Sequence, residues 1–151
     1  MRSRFLLLSA ALLLAWSFPL AAAEPIGLVK STEGKALAQR DGKSLALKAG
    51  DDIFKNDQLT TDAQGAMGLV LRDDTTLSMG PNSKLLLDEF IFDPAADKLG
   101  LGLKMTKGTF SVLTGHIAKL SPEKTNIRTS VANIGIRGTR FLVEAQGGDD
   151  E

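Results

Sequence analysis

His116 is the only histidine in the chain, and there is no cysteine. Nucleophilic and acid–base catalysis work through paired groups, a nucleophile with a base and a base with an orienting partner. A lone histidine in a polar stretch supplies one member and is expected to be a solvated side chain. Three acidic pairs, Asp51-Asp52, Asp73-Asp74 and Asp88-Glu89, fall in or near turns. Paired carboxylates can hold Ca²⁺, but none of these has the alternating spacing of a calcium loop. Glycoside hydrolysis needs two carboxylates facing a sugar cleft, and any pair here can be nominated equally. All three are expected to be solvated turn residues. Gly100-Leu101-Gly102-Leu103-Lys104 has the glycines of a phosphate loop, yet it alternates like a strand and no helix follows. No catalytic, cofactor or metal site is therefore expected, and the chain reads as a non-enzyme.

The stretch from Thr129 to Phe141 carries most of the remaining information. It enters as an apolar-periodic strand, passes Gly135 and Gly138, and re-enters a strand at Phe141. The two glycines are expected to allow backbone geometry closed to other residues, or close backbone approach. Thr139 is placed to bond the turn and Phe141 to enter the core. Arg137 and Arg140 face solvent or pair with acids. The segment thus reads as a structural closure in which Arg137 and Arg140 are the candidates for touching a partner.

The elements that position this segment are short strands. Period-two alternation runs through Ile26–Lys30, Lys35–Gln39, Ser44–Leu47, Met67–Leu71 and Leu77–Met79. Asp41-Gly42 is a two-residue hairpin signal, and Asp73-Asp74 and Gly80-Pro81-Asn82-Ser83 are further reversals. Leu85 and Leu87 are out of phase with Phe90 and Phe92, which predicts a bulge near Asp88-Glu89. Leu99, Leu101, Leu103 and Met105 alternate as a half-buried strand. Gly108 is expected to turn the chain before Phe110 and Val112. Thr114–Glu123 reads as a loop or short helix, Thr125–Ser130 as a strand, and Ile134–Val143 as a strand pair. The fold class is all-β: one domain of about ten short, mostly antiparallel strands forming a sandwich or roll.

Residues 1–23 read as a signal peptide, with Arg2 and Arg4, an apolar run from Phe5 to Ala15, and Ala21-Ala22-Ala23 before the cut. The apolar run is too short for a stable membrane span. The domain is expected over 24–146, with 147–151 a disordered acidic tail. The chain is then exported, periplasmic or secreted. Removing Arg2 and Arg4 leaves 16 basic against 18 acidic residues, a net charge of −2. That balance excludes an electrostatic nucleic-acid surface. The one Trp lies in the signal peptide and there is no Tyr, so stacking platforms for sugars or bases are disfavoured.

Most of the chain resembles the FecR domain family. Gly27, Val29 and Gly34 are similar to its opening strand. Leu47, Gly50, Asp51, Ile53, Leu59 and Thr60 resemble its Gly-Asp passage. Gly65–Ser83 resembles its alternating strand and Pro-Asn-Ser turn. Gly108 is similar to the glycine before its signature, and Thr129, Ala132, Gly135, Arg137, Gly138, Thr139 and Phe141 resemble the signature itself. Ser130 departs from the pattern, where a proline is frequent, and little follows Phe141. The resemblance implies an extracytoplasmic all-β domain. Long members are transmembrane regulators that sense an outer-membrane transporter and control a sigma factor. Without a cytoplasmic anti-sigma segment, this chain is expected to be the extracytoplasmic domain alone. Its expected role is a protein-interaction, scaffolding or sensing module whose partner is another envelope protein. The alternative is a cell-wall or polysaccharide-binding module. A sheet edge near Val143 is expected to invite strand addition, by a partner or by a second copy to give a homodimer.

Overall fold

The computed structural model describes residues 22–136 and 139–147. Twelve strands form one curled sheet. In chain order they are β1 Gly27–Glu33, β2 Ala36–Arg40, β3 Lys43–Ala46, β4 Asp52–Ile53, β5 Gln58–Thr61, β6 Ala66–Leu71, β7 Thr76–Met79, β8 Lys84–Asp93, β9 Lys98–Leu113, β10 Thr125–Thr129, β11 Asn133–Ile134 and β12 Arg140–Gln146. A short helix, α1, spans His116–Leu120 between β9 and β10. The strand order is β3-β2-β5-β8-β9-β7-β6-β1-β4, with β10 and β12 also lying along β9. The all-β reading holds, and of the two expected forms the curled sheet is a roll.

Turn chemistry explains the reversals. Asp41 and Gly42 have φ of 50° and 75° and join β2 to β3. Two positive φ values twist a two-residue loop to match the strands it connects. Among the described residues, all five non-glycine residues with positive φ are Asp or Asn: Asp41, Asn56, Asp74, Asn82 and Asp97. Their short polar side chains make the left-handed region accessible.

The register shifts between Leu87 and Glu89, so Asp88 is the bulged residue. The extra residue reverses the side-chain phase. Leu85 and Leu87 before it and Phe90 and Phe92 after it then all face the core. The core is aliphatic and sulfur-rich, with Leu59, Leu69, Leu77, Leu103, Met105 and Val112 fully enclosed. Each such side chain contributes roughly 1.5–3 kcal/mol, which suits a chain with no disulfide.

β9 organises the sheet, and here the structure corrects the sequence. Gly108 does not end a strand. It lies inside a continuous one with φ of +99°. A Cβ at Gly108 would collide with Ser83, the residue just before β8, so the two segments approach too closely there for any other residue. Ser83 Oγ accepts from the Thr109 amide at 3.2 Å. The bend lets β9 change partners. Before it, β9 pairs with β8 and runs parallel to β10; after it, β9 pairs with β7 and β12.

A second correction concerns the C-terminal strand pair. β11 pairs with β10 and β12 pairs with β9, so β11 and β12 are not partners. At the opposite end of the sheet, Arg40 clamps the chain. Its guanidinium donates twice to the buried Asp57 carboxylate, both at 2.7 Å, and sits 4.2 Å from the centre of the Phe54 ring. The hydrogen bond to Asp57 holds the Arg40 pKa above its ordinary value, against the opposing effect of burial. A cation with a raised pKa stays charged at every pH below its ordinary value, so this clamp keeps its positive charge throughout the neutral range.

Candidate functional site

The acidic pairs do not behave alike. Asp73, expected to be solvated, is fully buried. Its Oδ1 accepts from the Thr75 amide at 3.1 Å, and its Oδ2 accepts from the Thr75 hydroxyl at 2.8 Å and the Ile117 amide at 3.2 Å. A buried carboxylate is tolerable only with such partners. Gly115, which precedes α1, supplies no side-chain cap, so Asp73 caps the helix from a turn some forty residues upstream. Thr75 Oγ1 accepts from the Gly115 amide at 3.1 Å, and the Asp73 carbonyl accepts from the His116 amide at 2.7 Å. A Cβ at Gly115 would strike the Asp73 carbonyl. Asp88 also departs from expectation: it is part-buried and paired with Arg128. Asp51 caps its own turn, accepting from the Lys48 amide at 2.9 Å.

His116 is exposed, as expected, but it is not idle. Its Nδ1 lies 3.0 Å from the Asp73 carbonyl and 3.2 Å from Asp74 Oδ2. This fastens α1 to the β6–β7 turn. The arrangement ties α1 to the sheet, with the Asp73 carboxylate accepting from backbone and hydroxyl donors. Among the described residues, no group of three or more His, Cys, Asp or Glu is placed to hold a metal ion.

The expected signature residues are arranged differently. Arg137 and Gly138 lie outside the described residues. Gly135 is exposed, has no positive φ, and a Cβ there would meet nothing within 4 Å. Neither a positive φ nor a close backbone approach, the two reasons expected for a glycine here, is found at Gly135 among the described residues. Thr139 contributes through its backbone: its carbonyl accepts from the Thr114 amide at 2.8 Å and from the Thr114 hydroxyl at 3.3 Å. Phe141 is half-buried against the core, while Val143 and Ala145 are the buried members of β12. Arg140 is exposed at the start of that strand.

β12 has one partner strand among the described residues, which is β9. Thr114 pairs with Thr139 through the amide bond just described. In an antiparallel ladder, hydrogen-bonded and non-hydrogen-bonded pairs alternate. The backbone groups of Phe141, Val143 and Ala145 thus face β9. Those of Arg140, Leu142, Glu144 and Gln146 point to the open side. Leu142 is 80% exposed. Beside it runs an open groove of about 510 Å³, floored by Thr109 and Ser111 of β9 and bordered by Ser78, Gly80, Leu142 and Glu144. Sequence reasoning anticipated an open edge near Val143 but missed Leu142 and Glu144, whose exposure follows from period-two alternation around the buried Val143.

This is a curled all-β domain in which β12 has a single partner strand among the described residues. A family model described as FecR protein matches residues 57–150, more than half of the chain, and the chain belongs to that family. It is a regulatory signalling family of envelope-associated domains, not known for catalysis. Comparison with curated proteins and with solved structures returned no match. The matched region begins just before β5, yet β1 pairs with β6 and β2 with β5. The first four strands are therefore part of the same sheet. Among the described residues, no helix is long and apolar enough to cross a membrane.

Proposed function

We propose that this chain is a non-enzymatic, extracytoplasmic FecR domain that acts as a protein-interaction, scaffolding or sensing module in the cell envelope. The observation that carries this reading is the open side of β12, with Arg140, Leu142 and Glu144 exposed along it. An unpaired edge presents a row of backbone donors and acceptors that recruits a strand from another chain. Export follows cleavage near Ala23 in this reading. The domain occupies 24–146, and the acidic residues 147–151 lie outside it. Arg137 and Arg140 are the signature residues assigned to partner contact in this reading, and Arg140 is the one on β12.

The test is a photo-crosslinking residue at Arg140 of the exported protein in its own cells, with Lys43 on β3 as control. The expected result is a discrete adduct at Arg140 alone, identified by mass spectrometry. Equal labelling at both sites, or none at either, contradicts the reading.

A further inference from the structure

We infer that β12 pairs with β12 of a second copy, antiparallel about a two-fold axis at Leu142. This rests on the interaction reading above and names the partner of the same edge.

Arg140, Leu142, Glu144 and Gln146 present their N–H and C=O groups outward, because the Thr114–Thr139 bond fixes the alternate residues toward β9. A two-fold contact is self-complementary: if residue i meets residue j of the second copy, then j meets i. Side-chain chemistry separates the registers that satisfy both conditions. Centring on Glu144 places two carboxylates opposite each other. Centring on Val143 sets Leu142 against Glu144 of the second copy and leaves Arg140 facing a glutamine. Centring on Phe141 sets Arg140 against Leu142. Centring on Leu142 places Arg140 against Glu144 of the second copy, Glu144 against its Arg140, and Leu142 on Leu142. All three side chains are exposed in the single chain, so this register joins opposite charges twice and sets the 80% exposed Leu142 against its own copy.

The other edges offer less. On β3, the Leu47 amide donates to the Ala36 carbonyl at 2.9 Å, so Ser44 and Ala46 alone point their backbone outward. No opposite charges alternate along that strand, and Lys43 begins it, a residue type that discourages edge pairing. β4 has two residues.

The test uses the processed exported protein and sedimentation analysis. The wild-type chain is expected to dimerise. Arg140→Glu and Glu144→Arg each turn two opposite-charge contacts into like-charge ones. Each is expected to weaken the dimer about tenfold or more, while the double variant Arg140→Glu with Glu144→Arg restores it. Thermal melts check that all three stay folded. Because the chain has no cysteine, Leu142→Cys provides a second readout. The central hydrogen-bonded pair has a Cα separation of about 5.5 Å, which a disulfide spans. Oxidation is expected to link Leu142→Cys into a dimer and to leave Leu45→Cys on β3 monomeric. Failure of the double variant to restore the dimer overturns the register. A chain that stays monomeric at millimolar concentration, while a crosslinker at Arg140 captures a different envelope protein, overturns self-pairing and leaves the interaction reading standing. Monomer with no capture at all overturns both.

Discussion

Two parts of the molecule flank the second half of β9: the Asp73 turn before β7 and the family's signature segment around β12. The Asp73 turn is sealed. A buried carboxylate, a threonine hydroxyl and a close-packed glycine tie it to α1. The signature segment is open: Gly135 has free space around it, Arg140 and Leu142 are exposed, and β12 is bonded on one side. The Asp73 turn is thus fastened by hydrogen bonds and close packing, while β12 has a strand on one side only among the described residues.

The contrast can be broken most sharply at Asp73. Asp73→Ala strands the Ile117 and Thr75 donors in a buried site, and unfolding free energy is expected to fall by about 3–5 kcal/mol. Urea denaturation followed by circular dichroism measures it. Tryptophan fluorescence does not serve, because the sole Trp is at position 16. Gly115→Ala comes next. Its Cβ meets backbone rather than a yielding side chain, and a loss of about 1–3 kcal/mol is expected in the same titration. Gly135→Ala, in the signature, should leave stability within about 0.5 kcal/mol of wild type, or raise it slightly through a stiffer unfolded chain. A large loss there would show that the signature is a closure after all. Arg140→Glu has the smallest expected effect on stability, within about 0.5 kcal/mol, yet it should weaken pairing at the edge about tenfold or more.

The sequence made the local rules visible and hid the distant ones. Alternation marked most strands, Asp41-Gly42 marked its hairpin, and the phase break between Leu87 and Phe90 marked the bulge at Asp88. These features depend on neighbours within a few residues. Gly108 was misleading because a glycine that ends a strand and one that bends it look alike in sequence. The pairings of β10, β11 and β12 were hidden because register is settled by strands far away in the chain. Asp73 looked solvated because the segment that packs over it comes from residues 115–117, with the Ile117 amide donating to its carboxylate. One clue was present: Asp73 and Thr75 have the spacing of a side chain bonding its own turn. The candidate edge was legible as an idea, and its residues became specific only when Thr139 was seen bonded to Thr114.

Amide hydrogen exchange along Arg140–Gln146, resolved residue by residue by NMR, tests the open edge most directly. In dilute protein, fast exchange is expected at Arg140, Leu142 and Glu144 and slow exchange at Phe141, Val143 and Ala145, whose amides face β9. As concentration rises or a captured partner is added, the fast set should become protected while the slow set barely changes. Uniform protection in dilute protein, or fast exchange that no concentration or partner suppresses, would contradict the claim that β12 is a working interface.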